Sequence, residues 1–219
     1  MTVTSIRREL EHGGFAAAAE ALAGGSVVAV PTDTVYGLAV VPSMPGAVER
    51  LFSLKGRPKD VAVPVLVAGW PDVGQVAGQL DGAAERLAVR YWPGPLTLVV
   101  PRAIGFSVDL GGPATTRGTV GLRWPDHPVV ARLCRELGPL AVTSANLHGS
   151  PPASTASEVA AVFSGLDGLG VILDGGTCDS PPSTVVECRG PATRCLREGA
   201  IPWDEIVKLP VGGSPLDGF

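Results

Sequence analysis

The chain has 219 residues, 45% of them hydrophobic and 17% charged, with a formal net charge of −4. The apolar content excludes an intrinsically disordered chain, and the acidic balance excludes an overall basic field for binding nucleic acid. The 29 glycines and 21 prolines are roughly twice the usual share, but the glycines have no three-residue period, which excludes collagen. We expect one packed domain with many stiff loops.

Apolar spacing and turn residues predict alternating helices and strands along the first half of the chain. The alanine-rich segment 15–23 is predicted to be a helix that ends at Gly24 and Gly25, and 27–30 a buried strand before Pro31. The elements predicted next are a helix over 45–54, a strand over 63–68, a helix over 81–92, and strands over 96–100 and 119–123.

Capping residues mark two of the helices predicted in the second half. Asp126 is predicted to cap a helix over 127–137, and Thr155 with Glu158 matches a capping box for a helix that runs to Phe163. The remaining predictions are strands over 140–143, 171–174, 184–188 and 194–197, and a short helix over 204–208. The tail after Pro210 is predicted to be loose.

This order of elements predicts the α/β class, as a single domain with a twisted mixed sheet, parallel and antiparallel, flanked by helices. The later strands follow one another too closely for helices between them, so antiparallel pairs are expected there. No internal repeat, low-complexity block or linker divides the sequence.

Targeting and cysteine signals are weak in this sequence. Residues 1–14 lack the apolar stretch of a signal peptide, and the near-apolar run 61–70 contains a proline and is too short to span a bilayer.

The four cysteines form no CxxC pair, so they are interpreted as reduced structural thiols, with a disulfide or a zinc site as the minority alternative. We expect a soluble, cytoplasmic protein without a membrane partner.

Several standard catalytic and nucleotide-binding motifs are absent from the sequence. There is no GxxxxGK[ST] loop, no GxGxxG after a strand and no GxSxG elbow, and the three histidines form no HExxH. A Ser-His-Asp triad stays open on residue counts alone. The favoured interpretation of His127 is a residue near a helix start.

Five polar stretches lie at the ends of predicted elements, many of them at strand ends, where open α/β sheets bind ligands. They are 31–37, 55–59, 92–97, 143–146, and 174–176 together with 182–184. Each one alone is typical of a turn or a solvated loop. Their occurrence in this order along one chain points to a common origin.

The ordered set resembles the Sua5/YrdC family of threonylcarbamoyl-AMP synthases. The resemblance rests on PTDTVYGL at 31–38, LKGRPKDVAVPVLV at 54–67, WPGPLTLVV at 92–100, TVGLRWPDHP at 119–128, TSANLHGSPP at 143–152, DGG at 174–176, STVVE at 183–187 and LREGAI at 196–201. It implies a YrdC-like domain with an open ligand cleft over 13–206, an N-terminal segment 1–12 and a C-terminal tail 207–219.

The resemblance implies a reaction that joins L-threonine, bicarbonate and ATP to threonylcarbamoyl-AMP and pyrophosphate. The product serves the t6A modification at position 37 of ANN-decoding tRNAs, through a downstream tRNA threonylcarbamoyl-transferase. The threonine carbamate is itself the nucleophile, so the family needs no activated serine or cysteine. Magnesium is expected with ATP, without a dedicated protein metal site.

The resemblance also implies the residues of the site. Lys55 and Arg57 are expected to stabilise phosphate charge, and Arg123 to hold the threonine carboxylate. The residues expected to bind ATP are Lys55, Arg57, Thr119, Ser144, Asn146 and Arg197. The residues expected at the threonine are Thr32, Tyr36, Arg123, Thr143 and Ser183.

The sequence departs from the family at two places. Many relatives carry a histidine where this chain has Ala68-Gly69, and a glutamate where Pro182 precedes Ser183. Two other functions remain as alternatives. One is a divergent YrdC-like protein that binds double-stranded RNA or acts in ribosome maturation, and the other is a serine hydrolase using Ser144 and His127.

Overall fold

The computed structural model describes residues 6–9, 13–80, 82–189 and 192–209. The helices are α1 (Gly14–Ala23), α2 (Ala47–Lys55), α3 (Trp70–Ala77), α4 (Gly82–Tyr91), α5 (Pro128–Leu137), α6 (Ala156–Val162) and α7 (Trp203–Val207). The strands are β1 (Ile6–Glu9), β2 (Val27–Val30), β3 (Gly37–Val40), β4 (Val65–Leu66), β5 (Leu96–Pro101), β6 (Thr119–Arg123), β7 (Leu140–Ser144), β8 (Leu169–Asp174), β9 (Thr184–Arg189) and β10 (Ala192–Arg197). The tail predicted to be loose, 211–219, lies outside the described residues.

The described strands form one sheet in the order β1-β8-β2-β3-β7-β4-β6-β5-β9-β10. The pairs β1–β8, β2–β8, β4–β6 and β5–β9 are parallel, and the other neighbours are antiparallel. The predicted α/β class with a mixed sheet is therefore confirmed. The strand β1 lies in the predicted N-terminal segment 1–12 and pairs with β8 at one edge of the sheet.

Apolar residues of the helices and the sheet form two core clusters. One contains Leu51 of α2 and Leu98 of β5, and the other contains Leu22 of α1, Val28 of β2 and Leu133 of α5. Because the middles of the strands are buried in these clusters, polar side chains are left to the strand ends, where the site lies. Each helix in the described part of the chain is too short or too polar to traverse a lipid bilayer.

The predicted helices and strands correspond to observed ones, and β2 and β6 match at both ends. The prediction misses β1, β3 and α3. The strand β3 consists of four fully buried residues and lies directly after a stretch interpreted as a turn, so it shows no alternating pattern. The helix α3 is short and contains Pro71 and Gly74, which obscure the helical signal.

The prediction that Asp126 caps a helix is wrong. The helix α5 begins at Pro128 with His127 as its N-cap residue, and no side chain accepts a capping hydrogen bond. A proline at the first helical position has no N–H to satisfy and already has a helical φ, which reduces the need for a cap. The predicted cap at Thr155 is confirmed by the hydrogen bond that the Glu158 amide donates to Thr155 Oγ1 at 3.1 Å. The Glu158 carboxylate accepts from the Ser154 amide at 2.7 Å, one residue before the amide that a capping box pairs with it.

Candidate functional site

A cavity of about 280 Å³, the first cavity, lies where the ends of β2, β6, β7 and β10 meet the starts of β5 and β9. All predicted site residues except Lys55 and Thr119 line it. They are Thr32, Tyr36, Arg57, Arg123, Thr143, Ser144, Asn146, Ser183 and Arg197. The fold therefore brings together residues that are up to 165 positions apart in the sequence.

A second cavity of about 410 Å³ adjoins the first, since Arg57, Ser183 and Arg197 line both. Thr119 lines this second cavity, and its Oγ1 donates a hydrogen bond to the Thr116 carbonyl at 2.8 Å. Much of the wall is apolar and consists of Val61, Val63, Val99, Val185 and Leu196. The two cavities together offer a polar compartment beside a more apolar one.

Arg123 ends β6, and it is buried in the wall of the first cavity, with 6% of its surface exposed. Its Nε donates to the Gly94 carbonyl at 3.1 Å, Nη1 to Thr34 Oγ1 at 3.1 Å, and Nη2 to Asp33 Oδ1 at 2.6 Å. Burial lowers the pKa of Arg123, and the Asp33 carboxylate opposes that shift. The result is a cation held in a fixed plane at the cavity wall.

Lys55 is the last residue of α2 and is buried beneath the loop that follows β7. Its ammonium donates to the carbonyls of Ser144 and Asn146, the latter at 3.0 Å, and to Asn146 Oδ1 at 2.7 Å. Burial, together with the charge of Arg57, lowers the pKa of Lys55 to about 8. The ammonium thus holds the Ser144–Asn146 loop from below, with protein acceptors around it.

Arg57 follows the turn that ends α2. Gly56 forms this turn with a φ of 60°, a left-handed conformation that glycine adopts without a steric penalty. The Arg57 guanidinium donates to the carbonyls of Val61 and Ala62 at 3.2 Å and to Thr143 Oγ1 at 3.4 Å. These contacts hold a second cation at both cavities.

Arg197, at the end of β10, is the third guanidinium of the site. Its Nη2 donates to the Ser183 carbonyl at 2.8 Å and to Ser183 Oγ at 3.2 Å, and Thr97 Oγ1 lies 2.8 Å from the same hydroxyl. Burial and the charge of Arg123 lower the pKa of Arg197, while burial and the charge of Arg197 lower that of Arg57. Arg197 therefore lies close enough to Arg57 and to Arg123 for its charge to repel theirs.

Thr32 and Tyr36 make hydrogen bonds that shape the wall of the cavity. Thr32 Oγ1 donates to the Val35 carbonyl at 2.6 Å. The fully buried Tyr36 donates its hydroxyl proton to the Gly176 carbonyl at 2.8 Å and accepts from the Gly175 amide at 3.1 Å. Tyr36 therefore ties the stretch after β8 to the stretch after β2.

Ser144 does not have the partner that a hydrolase of the triad type requires. Its Oγ donates to Asn146 Oδ1 at 2.7 Å and lies 3.4 Å from the Lys55 ammonium. Among the residues that the structure describes, the buried Nδ1 of the half-buried His127 has no hydrogen-bond partner. The geometry thus disfavours the serine hydrolase, because the nucleophile and the base need a mutual hydrogen bond.

Metal and disulfide chemistry find no support in the described part of the chain. No three His, Cys, Asp or Glu side chains converge there as metal ligands. Among the described residues, Cys134, Cys178, Cys188 and Cys195 form no disulfide.

Three residues of the site are not among those predicted from the sequence: Asp33, Thr34 and Thr97. Asp33 and Thr34 bind Arg123, and Thr97 contacts Ser183 at the boundary of the two cavities. The sequence does mark all three as candidates, because Asp33 and Thr34 lie in the polar stretch after β2 and Thr97 is a polar residue within an apolar strand. Their roles depend on contacts with Arg123 and Ser183, which lie far away in the sequence, and local sequence patterns do not specify such contacts.

The mixed sheet and the cation-lined cavities define an α/β domain suited to small anionic ligands. The family model Sua5_yciO_yrdC, described as "Telomere recombination", matches residues 20–199. The chain belongs to this Sua5/YciO/YrdC family.

Individual relatives agree with this membership. A Mycobacterium tuberculosis relative is 40% identical over 198 residues, which are 90% of this chain and 88% of the relative. The threonylcarbamoyl-AMP synthase of Photobacterium profundum is 36% identical over 72% of this chain and 84% of its own length. The solved structure of Pyrococcus abyssi Sua5 complexed with L-threonine matches with a TM-score of 0.79 and 35% identity, over 95% of this chain and 60% of that one.

Proposed function

We propose that this protein is an L-threonylcarbamoyladenylate synthase, a nucleotidyltransferase that uses L-threonine, bicarbonate and ATP. Relatives of similar length carry the name of this activity, and a structural neighbour is complexed with L-threonine. The observation that carries the proposal is the convergence of Arg57, Arg123 and Arg197 on one cavity. Such a set of guanidiniums binds anions, among them the carboxylate of an amino acid and the phosphates of a nucleoside triphosphate.

In this proposal Arg123 binds the threonine carboxylate, and Thr32, Tyr36, Thr143 and Ser183 form the surrounding wall. Arg123 suits this role because its guanidinium is planar and is already oriented by three protein acceptors. A planar fork matches the two oxygens of a carboxylate, which a lysine ammonium cannot do.

The ATP phosphates would lie at Arg57 and Arg197, which border both cavities. The other residues proposed to bind ATP are Thr119, in the second cavity, and Ser144 and Asn146, in the first. Lys55 contributes its charge from beneath the loop. Magnesium would arrive with ATP and be held mainly by phosphates and water.

The proposed reaction needs no covalent bond to the protein. The threonine amine and bicarbonate form a carbamate with loss of water, and a carbamate oxygen attacks the α-phosphorus of ATP, from which pyrophosphate leaves. The chain's residues place the two reactants side by side and offset the phosphate charge, which is how phosphoryl-transfer sites act in general. The mixed anhydride formed is reactive, so we propose that a cytoplasmic tRNA threonylcarbamoyl-transferase consumes it.

Pyrophosphate release tests the proposed function directly. It is measured with ATP, threonine and bicarbonate together, and then with each omitted, while mass spectrometry follows threonylcarbamoyl-AMP. We expect release only in the complete mixture, and release that is indifferent to threonine would refute the proposal. Salt-dependent binding of duplex RNA without any threonine-dependent turnover would favour the RNA-binding alternative instead.

A further inference from the structure

Asp33 is the carboxylate that pairs with Arg123. The two side chains are 12% and 8% exposed, and Asp33 Oδ1 accepts from Arg123 Nη2 at 2.6 Å. The other oxygen, Oδ2, is buried and has no hydrogen-bond partner among the described residues. Since a buried unpaired carboxylate oxygen destabilises a fold, its retention points to a role beyond folding.

The hydrogen bonds of Arg123 leave part of its donor set open. A guanidinium has five N–H donors, and here one each from Nε, Nη1 and Nη2 reaches Gly94, Thr34 and Asp33. Among the described residues, one N–H on each terminal nitrogen therefore remains without an acceptor. Two donors on one planar group are what a bidentate carboxylate contact requires.

Besides orienting Arg123, the Asp33 carboxylate compensates the buried positive charge of that residue. Arg123 is buried and lies near Arg197, and the like charges of the two guanidiniums repel each other. Without a counter-charge, the Arg123 side chain would be driven towards solvent or another anion. Asp33 supplies that counter-charge and does not line the first cavity, so it leaves the cavity free for a ligand.

We propose that Asp33 is a positioning residue for Arg123, one that fixes the guanidinium so that its two remaining donors face the amino acid substrate. This inference rests on the proposed function, because it takes the ligand of Arg123 to be the threonine carboxylate. Asp33 acts through Arg123 and does not itself touch the substrate.

The test compares the KM for threonine with the KM for ATP in Asp33→Asn, with the threonine Kd measured by calorimetry in the same variants. We expect the threonine KM and Kd to rise by about tenfold or more, as for the loss of a charge-assisted contact, and the ATP KM to stay within about twofold. In Arg123→Lys the further change Asp33→Asn should raise the threonine Kd little, because coupled residues are not additive. The matched control is Asp72→Asn, whose carboxylate accepts from the Ala68 amide at 2.9 Å and lines neither cavity.

Three results would overturn the inference: an unchanged threonine Kd, equal rises for threonine and ATP, or full additivity with Arg123→Lys. Asp33→Glu is the second variant, and we expect it to restore part of the threonine affinity because it keeps the charge. If neither variant folds, as judged by circular dichroism, Asp33 is a structural residue and the inference is wrong. Wild-type protein that binds threonine but releases no pyrophosphate would refute the proposed function alone.

Discussion

Replacing Lys55 by methionine keeps an unbranched side chain as far as Cε and removes the ammonium. The Asn146 carbonyl and Asn146 Oδ1, which accept from Nζ at 3.0 and 2.7 Å, would lose a buried donor, as would the Ser144 carbonyl. The Ser144 carbonyl and Asn146 Oδ1 would keep the hydrogen bonds that they accept from the Asn146 amide and the Ser144 hydroxyl, so the Asn146 carbonyl is the acceptor of this loop that loses its donor outright. A buried acceptor left unpaired costs about 1–3 kcal/mol, and the weaker pairing of the other two is offset in part by release of the burial cost of the charge. We expect a net destabilisation of about 1–3 kcal/mol, or about 2–12 °C in melting temperature for a chain of this size.

The assay is thermal unfolding of the wild type, Lys55→Met and the control Lys59→Met, combined with hydrogen exchange. Lys59 lies on the same segment but is exposed. Exchange should accelerate around 144–150, where the His148 amide donates to the Lys55 carbonyl and the loop depends on the ammonium. Equal melting temperatures for the two variants would refute the argument that Lys55 supports this loop.

Comparing the wild type with Lys55→Met also predicts how the free energy of unfolding depends on pH. The folded-state pKa of Lys55 is about 8, below its ordinary value of 10.5, so between these values the unfolded state binds more protons. The unfolding free energy of the wild type should therefore rise, relative to Lys55→Met, as the pH increases from 8 to 10.5. Below pH 8 the difference should be constant, and a difference that falls between 8 and 10.5 would contradict the assignment.

Three further predictions concern the substrate, the core and the thiols. Arg123→Lys should raise the threonine KM by about tenfold or more with little effect on the ATP KM, whereas Arg132→Lys, at an exposed ion pair, should change neither. Thr184→Val should lower the unfolding free energy in urea by about 1–3 kcal/mol, and Thr184→Ser much less, because the buried Oγ1 donates to the Ile201 carbonyl at 2.6 Å. Burial raises the pKa of the Cys134 thiol to about 12, so a thiol reagent should label the half-buried Cys195 first, and equal labelling of the folded protein would contradict this.

Local patterns predicted the α/β class and the helices and strands that have strong signals. Two strands match at both ends because β-branched residues are bounded there by proline or glycine, and the Thr155 cap is present as predicted. The short elements β3 and α3 were not predicted, because their apolar patterns are weaker than the turn patterns of the residues beside them. Asp126 failed as a cap since the proline that follows decides how α5 begins.

For the site, the sequence supplied residue types at strand ends, and the resemblance of its ordered motifs supplied their expected roles. The contacts among them required the fold, since Asp33 and Arg123 are 90 residues apart and Lys55 and Asn146 are 91 apart. Nothing in the local chemistry of Lys55 distinguishes an ammonium that contacts a phosphate from one that supports a loop. Only its surroundings make that distinction.

The amino-acid sequence by itself determined that this chain folds as one α/β domain, because apolar periodicity and turn residues act over a few positions. It also determined where polar groups would gather, since strand ends cannot be buried in the two core clusters. The tertiary structure decided which cations face the cavities, which carboxylate restrains Arg123 and which ammonium lies under the loop. Those outcomes depend on burial and on distances between remote segments, and both exist only after the sheet has assembled.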